Sequence, residues 1–218
     1  MSPTNLHLFV LVVPLLTALA VNLFGRSRRQ LITPLVLGSL TFSLFGSIVV
    51  MGRVLSEGTI SYTVGNWQPP YGIELVVDPL SAMMMVLISV VALLASFSSL
   101  KSVEQELPGR EAFFFTLYLI LVTGLHGLIV TADAFNLYVL LEITSITTYG
   151  MVAMGRGRAV LSSFKYIIMG TIGARFYLLG VGYIYILTGT LNMADIARIL
   201  PTLNAPVATT TAIAFVLV

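Results

Sequence analysis

No cysteine occurs in the 218 residues, which excludes disulfide bridges, thiolate metal sites and thiol nucleophiles. Charge is almost as scarce. Asp, Glu, Lys and Arg together make up 9% of the chain against 57% hydrophobic residues, where soluble domains carry roughly 25% charged residues. Such a chain cannot present a hydrated surface all round; it is an integral membrane protein with the lipid bilayer as its solvent. A net charge of +2 is too small a basic excess to attract nucleic acid. Also missing are a phosphate-binding glycine loop, a set of residues at metal-ligand spacing and a nucleophile paired with a base. No cofactor, no metal and no bond chemistry are expected on this chain, so flavin, nicotinamide or iron–sulfur centres would have to belong to partners.

What the chain has in abundance is long apolar runs, and about 20 apolar residues cross a hydrocarbon core of roughly 30 Å. Leu6–Phe24 is the first such run; no cleavage pattern follows it, so it reads as a retained helix. The second is Leu31–Met51, with Pro34 in its first turn, where the missing N–H costs little. Arg53–Glu74 reads as one long polar connection, with Trp67, Pro69, Pro70 and Tyr71 as interfacial and turn residues. A third run, Leu75–Leu100, opens on Asp78-Pro79, an acid placed to cap a helix. After the charged link Lys101–Glu111 come Ala112–Ala132, Asp133–Met154 and Val160–Leu187, then a polar stretch from Thr188 to Asn204. The apolar run from Ala205 to Val218 is too short to span and reads as a helix cut off. The expected fold is all-α: a polytopic transmembrane bundle of six complete helices and the start of a seventh.

Counting Lys and Arg in the connections predicts orientation. One side receives Arg26, Arg28, Arg29, Lys101, Arg110, Arg156 and Arg158, the other only Arg53 and Arg198. The positive-inside rule then puts the N-terminus outside. Lys165 and Arg175 are left inside the sixth helix.

Glu142 lies at the centre of the fifth helix, where an ionisable group costs roughly 3 kcal/mol on insertion scales and is usually functional. Helices five and six run antiparallel from the Arg156–Arg158 turn. At 1.5 Å per residue Glu142 is roughly 23 Å from that turn, Arg175 roughly 26 Å and Lys165 about 11 Å. Glu142 and Arg175 thus share a depth, whereas Lys165 can extend toward the basic surface. Tyr138, Ser145 and Tyr149 share the Glu142 side of their helix. On the sixth helix Lys165, Ile168, Ile172 and Arg175 form one side and Gly170, Gly173 and Ala174 the other, the latter suited to close packing. Glu142 is either half of a structural ion pair or a carboxylate in a hydrated interior, and Thr144, Ser145, Thr147 and Thr148 favour the second. His126, six residues from the outer end of the fourth helix, is either a packing residue or a relay at the depth of Glu142.

The run Asp133-Ala-Phe135-Asn136-Leu137-Tyr138-Val139-Leu-Leu-Glu142 resembles the fifth-helix motif of the antiporter-like subunits shared by complex I, membrane-bound hydrogenases and the Mrp cation/proton antiporters. Phe164-Lys165-Tyr166, Gly170 to Gly173 and Gly189-Thr190-Leu191-Asn192 are similar to the sixth helix and following loop of that family. Gly65-Asn66-Trp67, Pro69-Pro70-Tyr71-Gly72 and Val77-Asp78-Pro79-Leu80-Ser81-Ala82 resemble its Mrp D-type branch in particular.

The resemblance implies an N-terminal part of an inverted-repeat fold of about fourteen helices, with the second half-channel absent. It divides the chain into 1–112, helices one to three with a long outer loop, and 113–218, the start of a proton-translocating core. Glu142 matches the family's glutamate at the entrance to the first half-channel, and Lys165 a lysine that influences it. Arg175 stands where the family generally has a small or hydroxyl residue; it is expected to act as a fixed counter-charge lowering the pKa of Glu142. The implied function is that of a subunit moving protons in exchange for Na⁺ beside other membrane subunits. The alternatives are a proton-pumping subunit of an NADH:quinone oxidoreductase or hydrogenase, and a remnant that transports nothing.

Overall fold

A computed structural model describes residues 6–25, 27–203 and 205–217. Arg26 of the basic count, Asn204 closing the polar stretch, Val218 and residues 1–5 lie outside them. Helix α1 spans Leu6–Phe24 and α2 Ile32–Glu57, joined by a short 3-10 turn at Arg29–Leu31. Pro14 inside α1 has no N–H and so leaves the carbonyl of Val10 without its helical donor. Ser43 of α2 donates a long hydrogen bond to that oxygen, at 3.5 Å.

Helix α2 continues about two turns past the expected end at Met51, so Arg53 belongs to the helix. It stops at Gly58, whose φ of 90° suits a residue without a Cβ. The connection beyond is not simply polar coil. Ile60–Thr63 (β1) and Glu74–Val77 (β2) pair antiparallel in the register Ile60↔Val77 and Thr63↔Glu74, with exposed Trp67 and Tyr71 at the tip. A small sheet therefore interrupts the expected all-helical course.

Asp78 caps α3 (Pro79–Glu106), its Oδ1 accepting the Ser81 N–H at 2.7 Å. Helices α4 (Glu111–Val130), α5 (Ala134–Ala153) and α6 (Ala159–Thr188) follow as an antiparallel run, and Gly189 at φ 70° ends α6. Inside the stretch expected to be polar lies α7 (Met193–Ile199), capped by Asn192, whose Oδ1 accepts from Ala194 and Asp195 N–H at 3.0 and 3.1 Å. Helix α8 covers Pro206–Leu217. Five of the described helices, α1 to α4 and α6, are long and apolar enough to cross a membrane. The 20-residue α5 is as long as α4, but Asn136, Glu142 and its hydroxyls dilute it.

The core sits in α1–α4. One cluster joins Ala18, Val36, Leu40, Ala92 and Leu119; a second, nearer the hairpin, joins Val10, Val50, Val77, Met85 and Val130. Because lipid is as apolar as leucine, such contacts hold by close packing rather than by escape from water. Glycine makes the α4–α5 contact close: a Cβ on Gly124 would lie 2.5 Å from the Thr144 methyl.

The two ends of the bundle differ. At one end the loops are stitched by backbone hydrogen bonds, Ala132 N–H to Glu74 O, Ala134 N–H to Leu191 O and Met193 N–H to Ala132 O, at 2.8–2.9 Å. There Glu74 accepts from Ser61 and, through Oε2, from Asn192 Nδ2 at 2.7 Å. At the other end Arg29 pairs with Glu111 at 3.3 Å and Arg156 reaches the Glu106 carbonyl at 3.4 Å.

Candidate functional site

Helix α5 presents three sides. Leu140 and Thr144 face Gly127 and Gly124 of α4, each roughly 160° around the helix from Glu142. Tyr149, only about 20° from Glu142 by the same count, turns to α6: its ring meets Tyr166 edge-on at 4.7 Å, and its hydroxyl fills the space a Cβ on Gly170 would need. Ser163 of α6 donates to the Tyr149 carbonyl at 2.8 Å, and Tyr177 to the Ala134 carbonyl at 3.1 Å. The third side carries Phe135, Val139 and Ile146, exposed by 45%, 36% and 61%.

Glu142 belongs to this open strip, at its margin with the α5–α6 seam. It is half-buried and makes no hydrogen bond or ion pair among the described residues. The hydroxyls around it serve the helix: Thr144, Thr147 and Thr148 donate to carbonyls one turn back at 2.9, 2.8 and 2.7 Å. They do not form the polar lining expected from their number. What remains is a carboxylate at mid-helix, flanked by apolar side chains and turned away from α4.

No ion pair joins Arg175 to Glu142 among the described residues. Helix α6 meets α5 through the side chains of Ser163, Tyr166 and Tyr177 and through its backbone at Gly170. Arg175 lies roughly 140° from Gly170 and 160° from Tyr177 around the helix, exposed on the opposite side. By rise per residue the two charges share a depth, but they point in different directions. Lys165 is exposed as well, and the described ion pairs are Arg29–Glu111 and Asp195–Arg198.

His126 occupies a different neighbourhood. It is fully buried, its Nδ1 2.9 Å from the Val122 carbonyl and its Nε2 2.9 Å from Ser89 Oγ, which lies 3.1 Å from Ser47 Oγ. The Val122 carbonyl can only accept, so Nδ1 carries a proton, and the one Ser89 Oγ–H has two acceptors in reach, the Met85 carbonyl at 2.8 Å and Nε2. This line of polar groups joins α4, α3 and α2, and the structure does not bring it to Glu142. Residue-by-residue reading missed it, although Ser39, Ser43 and Ser47 recur every four residues on one side of α2, all buried. Outside the spans, the Ser81 amide bond holds the Asp78 carboxyl below the ordinary carboxylate range.

Comparison with known proteins adds a lineage to this geometry. Residues 131–218 match the family described as NADH:quinone oxidoreductase/Mrp antiporter, TM. The N subunit of the NADH-quinone oxidoreductase of Desulforudis audaxviator is 38% identical over 93% of the chain and 41% of its own length. The D-type subunit of the Na(+)/H(+) antiporter of Alkalihalophilus pseudofirmus is 32% identical over 88% of the chain and 39% of its own length. A polypeptide in the structure of the membrane-bound sulfane sulfur reductase, an archaeal respiratory membrane complex, superposes with a TM-score of 0.91 at 32% identity, covering 97% of this chain and 43% of that one. The chain thus spans about 40% of the length of the curated relatives it matches.

Proposed function

The chain belongs to the antiporter-like membrane subunits of NADH:quinone oxidoreductases and Mrp antiporters, and from that premise we propose that it forms the first part of an ion-translocating subunit in which Glu142 loads and releases a proton. The observation that carries this reading is the placement of Glu142, a mid-helix carboxylate without a partner among the described residues, on a strip between Phe135, Val139 and Ile146. An ionisable group there is expensive unless water or a counter-charge reaches it, and a group that changes charge state is the reason to keep it. No cation of the described chain meets it, which supports a functional carboxylate over a structural ion pair.

Under this proposal the cation exchanged for protons is Na⁺, as the antiporter relative's name suggests for itself. The chain works beside other subunits in the plasma membrane, with its basic end in the cytoplasm and its N-terminus outside. Lys165 modulates Glu142 from the basic side, through a water or a neighbouring group rather than by direct contact. His126 acts as packing in the α2–α4 core. A second reading, a proton pump driven by electron transfer in a redox complex, is favoured by the relationship to the oxidoreductase N subunit and to the sulfane sulfur reductase complex.

Everted membrane vesicles holding the chain with its natural partners test both readings. Under the proposal, Na⁺ drives H⁺ exchange with native Glu142, and exchange disappears in Glu142→Gln while the complex remains assembled. Proton movement that appears only with a redox donor transfers the role to the second reading. Full exchange in Glu142→Gln removes the carboxylate from the ion path.

A further inference from the structure

Arg175 is a charge that the translocation proposal does not use. Helix α6 is 30 residues long, about 45 Å, and Arg175 lies roughly 24 Å from its start and 20 Å from its end. A hydrocarbon core of roughly 30 Å centred on this helix puts the guanidinium near mid-depth. The side chain cannot extend from there to either surface, and arginine does not shed its proton to become neutral. Yet Arg175 is exposed, without an ion pair or hydrogen bond among the described residues.

Its surroundings are apolar. Leu178, Leu179, Gly182, Tyr183 and Ile186 form with it a shallow groove of about 510 Å³ along one side of α6. Among the described residues, no element packed on α6 supplies an anion to that groove. Glu142 of α5 lies around the opposite side, and Asp195 of α7 is paired with Arg198 beyond the end of α6. Helix α8, which meets α6 through Phe215 stacked on Phe176 and Tyr183, has no acidic residue from Pro206 to Leu217. A permanent cation at this depth, set in an apolar groove, is complementary to one kind of surface: an apolar helix with a single carboxylate at matching depth.

We infer that the side of α6 around Arg175 is an interface for a transmembrane helix of a neighbouring subunit that carries an aspartate or glutamate at the depth of Arg175. The small residue Gly182 and the gap beside Arg175 let that helix approach closely. The planar guanidinium takes the carboxylate through two parallel hydrogen bonds, which fixes the depth of the partner as well as its identity. This inference requires only that the chain lies in a membrane, and it holds whichever ion the complex moves.

A photoreactive phenylalanine derivative at Leu179, one turn from Arg175, tests it in the intact native complex, with the crosslinked peptide identified by mass spectrometry. The expected product joins α6 to a spanning segment of another subunit that contains Asp or Glu. Crosslinks to lipid alone, to a segment without a carboxylate, to another part of this polypeptide or to a second copy of the chain overturn the inference. Two substitutions then read the charge. Arg175→Met removes a costly cation, so an arginine that faced lipid would leave the complex as abundant as before or more so; a paired one leaves the partner's carboxylate orphaned and lowers the amount of intact complex on native gels. Arg175→Glu should dissociate that subunit, and replacing the crosslinked carboxylate with arginine should restore it. Failure of the double reversal, with both chains inserted, also overturns the assignment.

Discussion

From α1 to α4 the helices keep many polar groups inside, and most of those are matched there, His7 Nε2 and Ser39 Oγ being the exceptions among the described residues. Ser47 and His126 both lie within hydrogen-bond distance of Ser89 inside the bundle, and Ser43 takes up the carbonyl that Pro14 leaves free. From α5 onward the arrangement reverses: Glu142, Lys165 and Arg175 turn outward, and of the 30 residues of α6 only Ser163, Gly180 and Val181 are buried. Exposed leucines in the second region mean little, because lipid accepts them without cost. Unmatched charges do mean something. The contrast separates a scaffold that meets most of its buried polar groups with its own helices from a working region whose charges require surfaces outside the described chain.

The sharpest break in this comparison comes from truncating one apolar side chain in each region and measuring reversible unfolding in mixed micelles. Leu119→Ala removes a fully buried side chain of the first region and should cost about 2–5 kcal/mol. Ile146→Ala, at a residue 61% exposed in the second, should change stability by less than about 0.5 kcal/mol. Equal costs would erase the distinction.

A smaller effect is expected from Ser89→Ala, which leaves the buried Nε2 of His126 without its hydroxyl partner and should cost about 1–3 kcal/mol. Slow solvent exchange of the His126 ring N–H in the native chain, faster in the variant, would locate the effect by NMR. Smallest is Asp78→Ala, about 1 kcal/mol for a lost helix cap, and it has a pH signature. The Ser81 amide favours the ionised carboxylate and depresses its folded pKa, so the cap contributes fully above about pH 4. Its contribution should fade as pH drops through the depressed folded value, and the native chain and Asp78→Ala should converge in acid.

Much of the helical course was legible, because run length and flanking charge are properties of sequence alone. The Asp78-Pro79 cap was legible for the same local reason. The hairpin was not: Ile60–Thr63 and Glu74–Val77 are too short to announce a strand, and each forms only against the other. Helix α7 was hidden in polar composition, although Asn192 is a recognisable cap once its two amide partners are in view. For Glu142 and Arg175, sequence periodicity ordered the sides of each helix and rise per residue gave their depth. Neither says which side meets the neighbouring helix, since that depends on how Tyr149 and Gly170 fit together. Position along each helix was therefore legible where direction was not.

The stitched end of the bundle has a consequence for biogenesis. The Glu74–Asn192 hydrogen bond joins residues 118 positions apart, with the four long helices α3 to α6 between them. It closes only if every intervening segment has crossed in its proper sense and delivered residues 131–133 and 190–193 to the same side as β2. A segment left uninserted would strand one of these loops on the far side of the bilayer. The hydrogen-bonded seam is thus available only to a chain threaded correctly.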